Sequence, residues 1–200
     1  MVERDINFEK HLKENIETHL SLSKNVKEIN RCAKLISNRI KRGGKLLICG
    51  NGGSAADAQH LSAEYLVRLK PEITRKPLPA ISLAQDVSTL TACGNDFKFE
   101  DIFLRPFQAL SNNKDILICI STSGNSKNIL KVLKEAKKKK IATIGFLGNK
   151  GGKAKKFCDI RLIINSKITS RIQECHIFLG HFIFEKAKNL LLDFHKKKKN

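Results

Sequence analysis

Tryptophan is absent from this chain and tyrosine occurs once, so any stacking platform for single-stranded nucleic acid would have to come from phenylalanine. Cysteine never occurs as a C-x-x-C pair. The six thiols fall singly, at Cys32, Cys49, Cys93, Cys119, Cys158 and Cys175, which is the pattern of a reduced, cytoplasmic protein. No apolar run approaches the roughly 18 residues a membrane helix needs, and the opening residues lack the order of a signal peptide. Internal repeats and Pro/Ser-rich linkers are also missing. A single domain over residues 1–200 is therefore expected, long enough to bury a sizeable core.

Negative charge is scarce as well: 19 acidic residues face 38 basic ones, a formal net charge of +19. Such an excess raises nucleic-acid binding as a possibility. Its distribution argues against it, because Lys137 to Lys140 close a predicted helix and Lys196 to Lys199 form a C-terminal tail, both favourable positions for cations opposite a helix dipole. A solvated lysine-rich surface that attracts anionic substrates is the expectation. The tail, 196–200, is expected to be disordered.

What is present alternates between strand and helix. A long amphipathic helix is predicted over 7–41, stopped by Gly43-Gly44. Strands are predicted at 45–50, 79–83, 115–120, 141–146 and 159–164. Helices are predicted at 54–68, 87–93, 99–110, 126–139 and 169–194, with a short one near 151–156. This order gives an α/β fold, a parallel five-stranded sheet flanked by helices, with long helices at both ends. The last helix carries Ile172, Ile177, Phe178, Leu179, Phe182, Ile183 and Phe184 on several sides. A helix apolar nearly all round is buried, here between subunits, so a homo-oligomer with helical interfaces is expected.

Two strand-to-helix junctions carry the functional signal. Ile116–Ile120 runs into Ser121-Thr122-Ser123-Gly124-Asn125-Ser126, four hydroxyls within six residues at a helix start. Unpaired N–H groups and the positive end of a helix dipole suit a phosphate there, although a Ser-rich turn can also serve only as a cap. Earlier, Leu46–Cys49 enters Gly50-Asn51-Gly52-Gly53-Ser54, whose glycines let the backbone approach a ligand closely. In open α/β sheets ligands bind beyond the carboxyl ends of strands, where both loops would lie. Neither loop follows G-x-G-x-x-G or carries a Walker lysine, so no nucleotide is implied. On the helix after the first loop, His60 and Glu64 project from one face. They can be a base with its orienting group, a metal site, or a helix-surface pair. Gln173 and His181, eight residues apart, are separated by about 12 Å along a helix axis. They reach one centre only if a ligand spans that length or the site combines chains.

Together, Gly50-Asn51-Gly52-Gly53-Ser54, Asp57-Ala58-Gln59-His60 with Glu64, Gly94-Asn95-Asp96, Ser121 to Ser126, and Arg171-Ile172-Gln173-Glu174 with His176 and His181 resemble the phosphoheptose isomerases of the sugar isomerase (SIS) superfamily. The resemblance covers nearly the whole chain. It implies a flavodoxin-like SIS fold, a homotetramer with sites at subunit interfaces, and conversion of sedoheptulose 7-phosphate to D-glycero-D-manno-heptose 7-phosphate. It further implies zinc, one ion per subunit, held by His60, Glu64, Gln173 and His181. Substrate contacts are implied at Asn51, Gly52, Gly53, Ser54, Asn95, Asp96, Ser121, Thr122, Ser123, Ser126 and Gln173. Ser170 stands where some members carry an Asp. Ketose-to-aldose isomerisation through an enediol needs a base and a proton donor, and Glu64 and His181 suit these roles. Two relatives without this chemistry resemble the chain too. One is a tetrameric replication-initiator-associating protein that lacks the counterparts of Glu64 and His181; the other is a phosphosugar sensor that binds without turnover.

Overall fold

A computed structural model describes residues 7–197, with side chains as far as residue 192. The elements run α1 (Phe8–Leu20), α2 (Val26–Lys41), β1 (Leu46–Gly50), α3 (Gly53–Leu66), β2 (Ala80–Ser82), α4 (Val87–Asp96), α5 (Leu104–Leu110), β3 (Ile116–Ser121), α6 (Lys127–Lys138), β4 (Ala142–Gly148), β5 (Ile160–Ile164) and α7 (Thr169–Lys197). All five strands pair in parallel, in the order β2-β1-β3-β4-β5. That is the flavodoxin-like order, and it places a topological switch point between β1 and β3. Residues 198–200 of the expected basic tail lie outside the described residues.

Burial on both faces explains why the central strands read as unbroken apolar runs. Leu46, Ile48, Ile116, Ile118, Ile144 and Phe146 point to one face, packed with Ile29, Ala33 and Ile36 of α2, Leu61 and Tyr65 of α3, and Leu179 and Ile183 of α7. The intervening residues Leu47, Cys49, Leu117, Cys119 and Leu147 point to the other, beneath Phe107 of α5 and Ile129, Val132 and Leu133 of α6. This strict alternation gives three layers with two cores. All six cysteines are free thiols and buried. Cys49 and Cys119, in register on β1 and β3, sit with Sγ atoms 3.4 Å apart.

Two predicted helices are broken. The expected helix over 7–41 divides at a 3-10 turn, Ser21–Asn25. There the Thr18, Ser21 and Ser23 hydroxyls donate to the carbonyls of Glu14, Thr18 and Leu20, competing with the backbone ladder. The expected helix over 99–110 becomes a 3-10 turn, Phe99–Asp101, followed by α5. Pro106 is tolerated only in a first helical turn, so the helix starts two residues before it. The short helix near 151–156 is a 3-10 turn, Ala154–Lys156.

Apolar side chains remain uncovered along one side. Phe8, Leu12, Ile16 and Leu20 form a stripe on α1, beside exposed Val26, Phe178 and Phe182. A groove of about 380 Å³ between α1, α2 and α7 is lined by Leu20, Leu22, Val26, Ile29, Phe178 and Phe182 among others. Among the described residues, no helix is long and apolar enough to cross a membrane.

Candidate active site

The pairing Cys49↔Cys119 and Gly50↔Ile120 brings the β1–α3 and β3–α6 loops side by side at the carboxyl edge of the sheet. Because α3 and α6 cover opposite faces, the two loops diverge at the switch point, the place where open α/β sheets form their binding crevice. Gly52 holds φ 54°, a left-handed conformation that glycine adopts without strain, at the cap of α3. At Gly53 a side chain would meet Gln173: an added Cβ would lie 2.6 Å from Nε2. Ser54 is buried and Asn51 is half-buried.

The Ser-rich loop is organised from within. Ser121 Oγ accepts from Gly124 N–H at 3.1 Å, and Ser123 Oγ accepts from Asn125 N–H at 3.1 Å. Each hydroxyl therefore uses one of its two lone pairs within the loop and keeps its proton to donate, which suits an acceptor-only phosphate oxygen. Ser126 occupies the cap position of α6 yet makes no capping hydrogen bond. Capping alone therefore does not account for the Ser-rich run. The loop leans on a second glycine-containing turn, where Ala154 N–H donates to Gly124 O and Lys153 N–H to Asn125 Oδ1.

Helices α3 and α7 run parallel along one seam. Its successive contacts are Gly53 with Gln173, Leu61 with Gly180, and Tyr65 with Phe184, whose rings lie 4.3 Å apart. Two turns along from Gly53, His60 Nε2 lies 2.8 Å from His181 Nε2 and 3.4 Å from Glu64 Oε1. The three groups offer donor atoms all within 4.8 Å of one another. Burial is the largest influence on His181 and lowers its pKa; His60 lowers it further and Glu64 opposes. The second Glu64 oxygen is buried and makes no hydrogen bond.

Gln173 does not join this cluster within the chain. Its amide lies on Gly53, and the roughly 12 Å of helix expected between residues 173 and 181 separates it from His181. Asn95 and Asp96 are exposed at the end of α4, where Asn95 Nδ2 donates to Asp96 Oδ1 at 2.8 Å. No hydrogen bond among the described residues ties either to the two loops. Ser170 is exposed in the first turn of α7. His176 is fully buried under Phe146, and burial pushes its pKa down to about 4, so the imidazole is neutral.

Three residues given no role on sequence grounds belong to this region. Asp57, half-buried one turn before His60, has a buried carboxylate oxygen without a hydrogen bond, and burial lifts its pKa to about 6 against the pull of His60. Arg75 donates to the carbonyls of Glu64 at 2.7 Å and Tyr65 at 2.9 Å, closing the end of α3. Asn128 pairs with Asn51. Asp57, at helical spacing from His60, left a sequence trace; Arg75 folds back across the loop after α3, and Asn128 meets Asn51 across 77 positions.

The hydroxyl-rich and glycine-rich loops lie two helical turns from a His-Glu-His cluster, and the SIS domain family matches residues 9–148, which makes the chain a protein of the SIS class. The chain is 50% identical over 154 residues to phosphoheptose isomerase 1 of Campylobacter jejuni, covering 77% of this chain and 82% of that one. It is 47% identical over 150 residues to the phosphoheptose isomerase of Campylobacter concisus, covering 75% and 78%. Solved phosphoheptose isomerases superpose closely. That from Neisseria gonorrhoeae gives a TM-score of 0.84 at 36% identity over 90% of this chain and 96% of that one. That from Francisella tularensis gives 0.85 at 33% identity, covering 94% and 100%. The chain belongs to the phosphoheptose isomerase family, and is a sugar-phosphate isomerase of heptose synthesis.

Proposed function

We propose that the enzyme converts sedoheptulose 7-phosphate to D-glycero-D-manno-heptose 7-phosphate, the first step of ADP- or GDP-heptose synthesis for lipopolysaccharide or other surface glycans. The observation that carries this reading is the convergence of His60, Glu64 and His181 from two helices, two turns along the seam from the Gly53 loop. That separation, about 10 Å for seven residues of helix, is of the order of an extended heptose phosphate.

In this reading the phosphate sits between Asn51–Ser54 and Ser121–Ser126, accepting hydrogen bonds from the Ser121, Thr122, Ser123 and Ser126 hydroxyls, while Gln173, Asn95 and Asp96 contact the sugar. Binding energy from this remote end positions the reacting carbons. At the other end Glu64, as carboxylate, removes the proton from C1 of the ketose. His181, kept neutral by its lowered pKa, takes a proton from one oxygen and returns it to the other. The resulting enediolate, which carries that proton on O2, is reprotonated at C2 from Glu64, giving the aldose.

Two imidazoles and a carboxylate with ligand atoms within 4.8 Å of one another are a donor set suited to catalytic zinc, which takes three protein ligands. His60, Glu64 and His181 would hold the ion, one per subunit, with Gln173 as fourth donor only if the site combines chains. Bound zinc supplies Lewis acidity toward the sugar carbonyl. The uncovered stripe of Phe8, Leu12, Ile16 and Leu20 with Phe178 and Phe182 supports assembly into a homotetramer with interface sites. The buried free thiols suit a cytoplasmic location. The test is an isomerase assay on sedoheptulose 7-phosphate after chelation, with and without added zinc. Activity lost on chelation and restored by zinc is the expected result; full activity in the chelated protein removes the metal, and no activity in either state removes the substrate assignment.

A further inference from the structure

One side-chain contact crosses the crevice between the two loops. Asn51 Nδ2 donates to Asn128 Oδ1 at 3.0 Å, and Asn128 Nδ2 donates to Asn51 Oδ1 at 2.8 Å. Asn128, the second residue of α6, is only 2% exposed. Its Oδ1 also accepts from the backbone N–H of Ile129 at 2.9 Å.

That third bond settles the orientation of both amides. A backbone N–H can only donate, so the Asn128 atom it meets must be oxygen, and the flipped amide is excluded. With that oxygen fixed, only an N–H of Asn51 can face it, and Asn51 is fixed in turn. A carboxamide offers two N–H groups and two lone pairs. Both lone pairs of Asn128 Oδ1 are used within this network, whereas half-buried Asn51 keeps one N–H and one lone pair for an acceptor or donor outside the pair. A tie between loops needs no such polarity if its role is structural alone, since two apolar groups of the same shape hold as well.

We propose that Asn128 is a positioning residue for substrate binding: it spaces the β1–α3 loop from the β3–α6 loop and dictates which way the Asn51 amide faces an oxygen-rich ligand. This rests on the reading of Asn51 as a substrate contact. Asn128 acts through Asn51 and touches no reacting atom.

The test is a double-mutant cycle on Asn51→Ala and Asn128→Asp. The aspartate keeps the shape of Asn128 and the acceptor for Ile129 N–H, but sets an oxygen against Asn51 Oδ1; turning the Asn51 amide only moves that clash to the other carboxylate oxygen, so the amide is displaced from its place between the loops and its orientation is no longer fixed. Loss of one such bond raises KM for sedoheptulose 7-phosphate about tenfold, with kcat changed less than about threefold. The double variant loses no more than Asn51→Ala alone, because the partner through which Asn128 acts is gone. Asn128→Ala repeats the cycle without added charge, and melting temperatures separate loss of fold from loss of binding. An unchanged KM in Asn128→Asp, or losses that multiply in the double variant, overturns the proposal. Calorimetric binding of sedoheptulose 7-phosphate to the same proteins reads the coupling without turnover. A wild type that binds without isomerising therefore sinks only the functional reading, and one that does not bind sinks both.

Discussion

The two ends of the α3–α7 seam are held by different physics. At the near end an amide presses on backbone: Gln173 lies where a Gly53 side chain would be, and Gly52 takes a conformation that other residues resist. At the far end three ionisable side chains face one another, the imidazoles touching edge-on with centroids 5.0 Å apart and the His60 side chain half-exposed. Under the proposed function, close packing at one end and a half-exposed cluster of ionisable groups at the other would divide binding from turnover along one pair of helices.

The sharpest break comes at the far end. His181→Gln is expected to lower kcat by about a hundredfold or more, the usual range for a lost acid/base group, while calorimetry shows sedoheptulose 7-phosphate still bound. Equal losses of binding and turnover would merge the two ends. At the near end the expectation reverses. In Gly53→Ala the clash falls on the movable tip of Gln173, so the protein folds, and displacement of that amide raises KM about tenfold with kcat little changed. A kcat loss as large as that of His181→Gln would place Gln173 at the chemistry.

Between the ends, at His176, the expected effect falls on stability and not on activity. Its pKa is near 4 when folded, well below the ordinary value of 6.5. Between those values the unfolded chain binds the proton and the folded chain does not, so stability falls as pH drops from 6.5 toward 4. The shift corresponds to roughly 3 kcal/mol at full effect. Urea midpoints measured across that window should therefore fall less steeply in His176→Phe than in the wild type. Parallel slopes would show that the imidazole is not what the burial implies.

The sheet was legible because β1, β3 and β4 are buried on both faces and stop at glycine and serine turns. The break after Leu20 was not, since hydroxyls that bond back to carbonyls at 18, 21 and 23 leave an amphipathic spacing intact. His60 and Glu64 announced themselves by helical spacing, and the Gly-rich and Ser-rich loops by their position after strands. Spacing said nothing of the parallel packing of α3 on α7, which brings His181 to His60 across 121 positions. The same packing leaves Gln173 at the loop end. Asn128, a polar residue ahead of an apolar helix face, acquires meaning only once β1 and β3 lie side by side.

The most direct measurement is isotope exchange in deuterated water, comparing wild type with Glu64→Gln. Proton removal by Glu64 predicts that wild type places deuterium on C1 of recovered sedoheptulose 7-phosphate and on C2 of the aldose, whereas Glu64→Gln binds the sugar and incorporates none. Exchange at the wild-type rate in the glutamine variant would contradict the assignment of the base, and with it the division of labour along the seam.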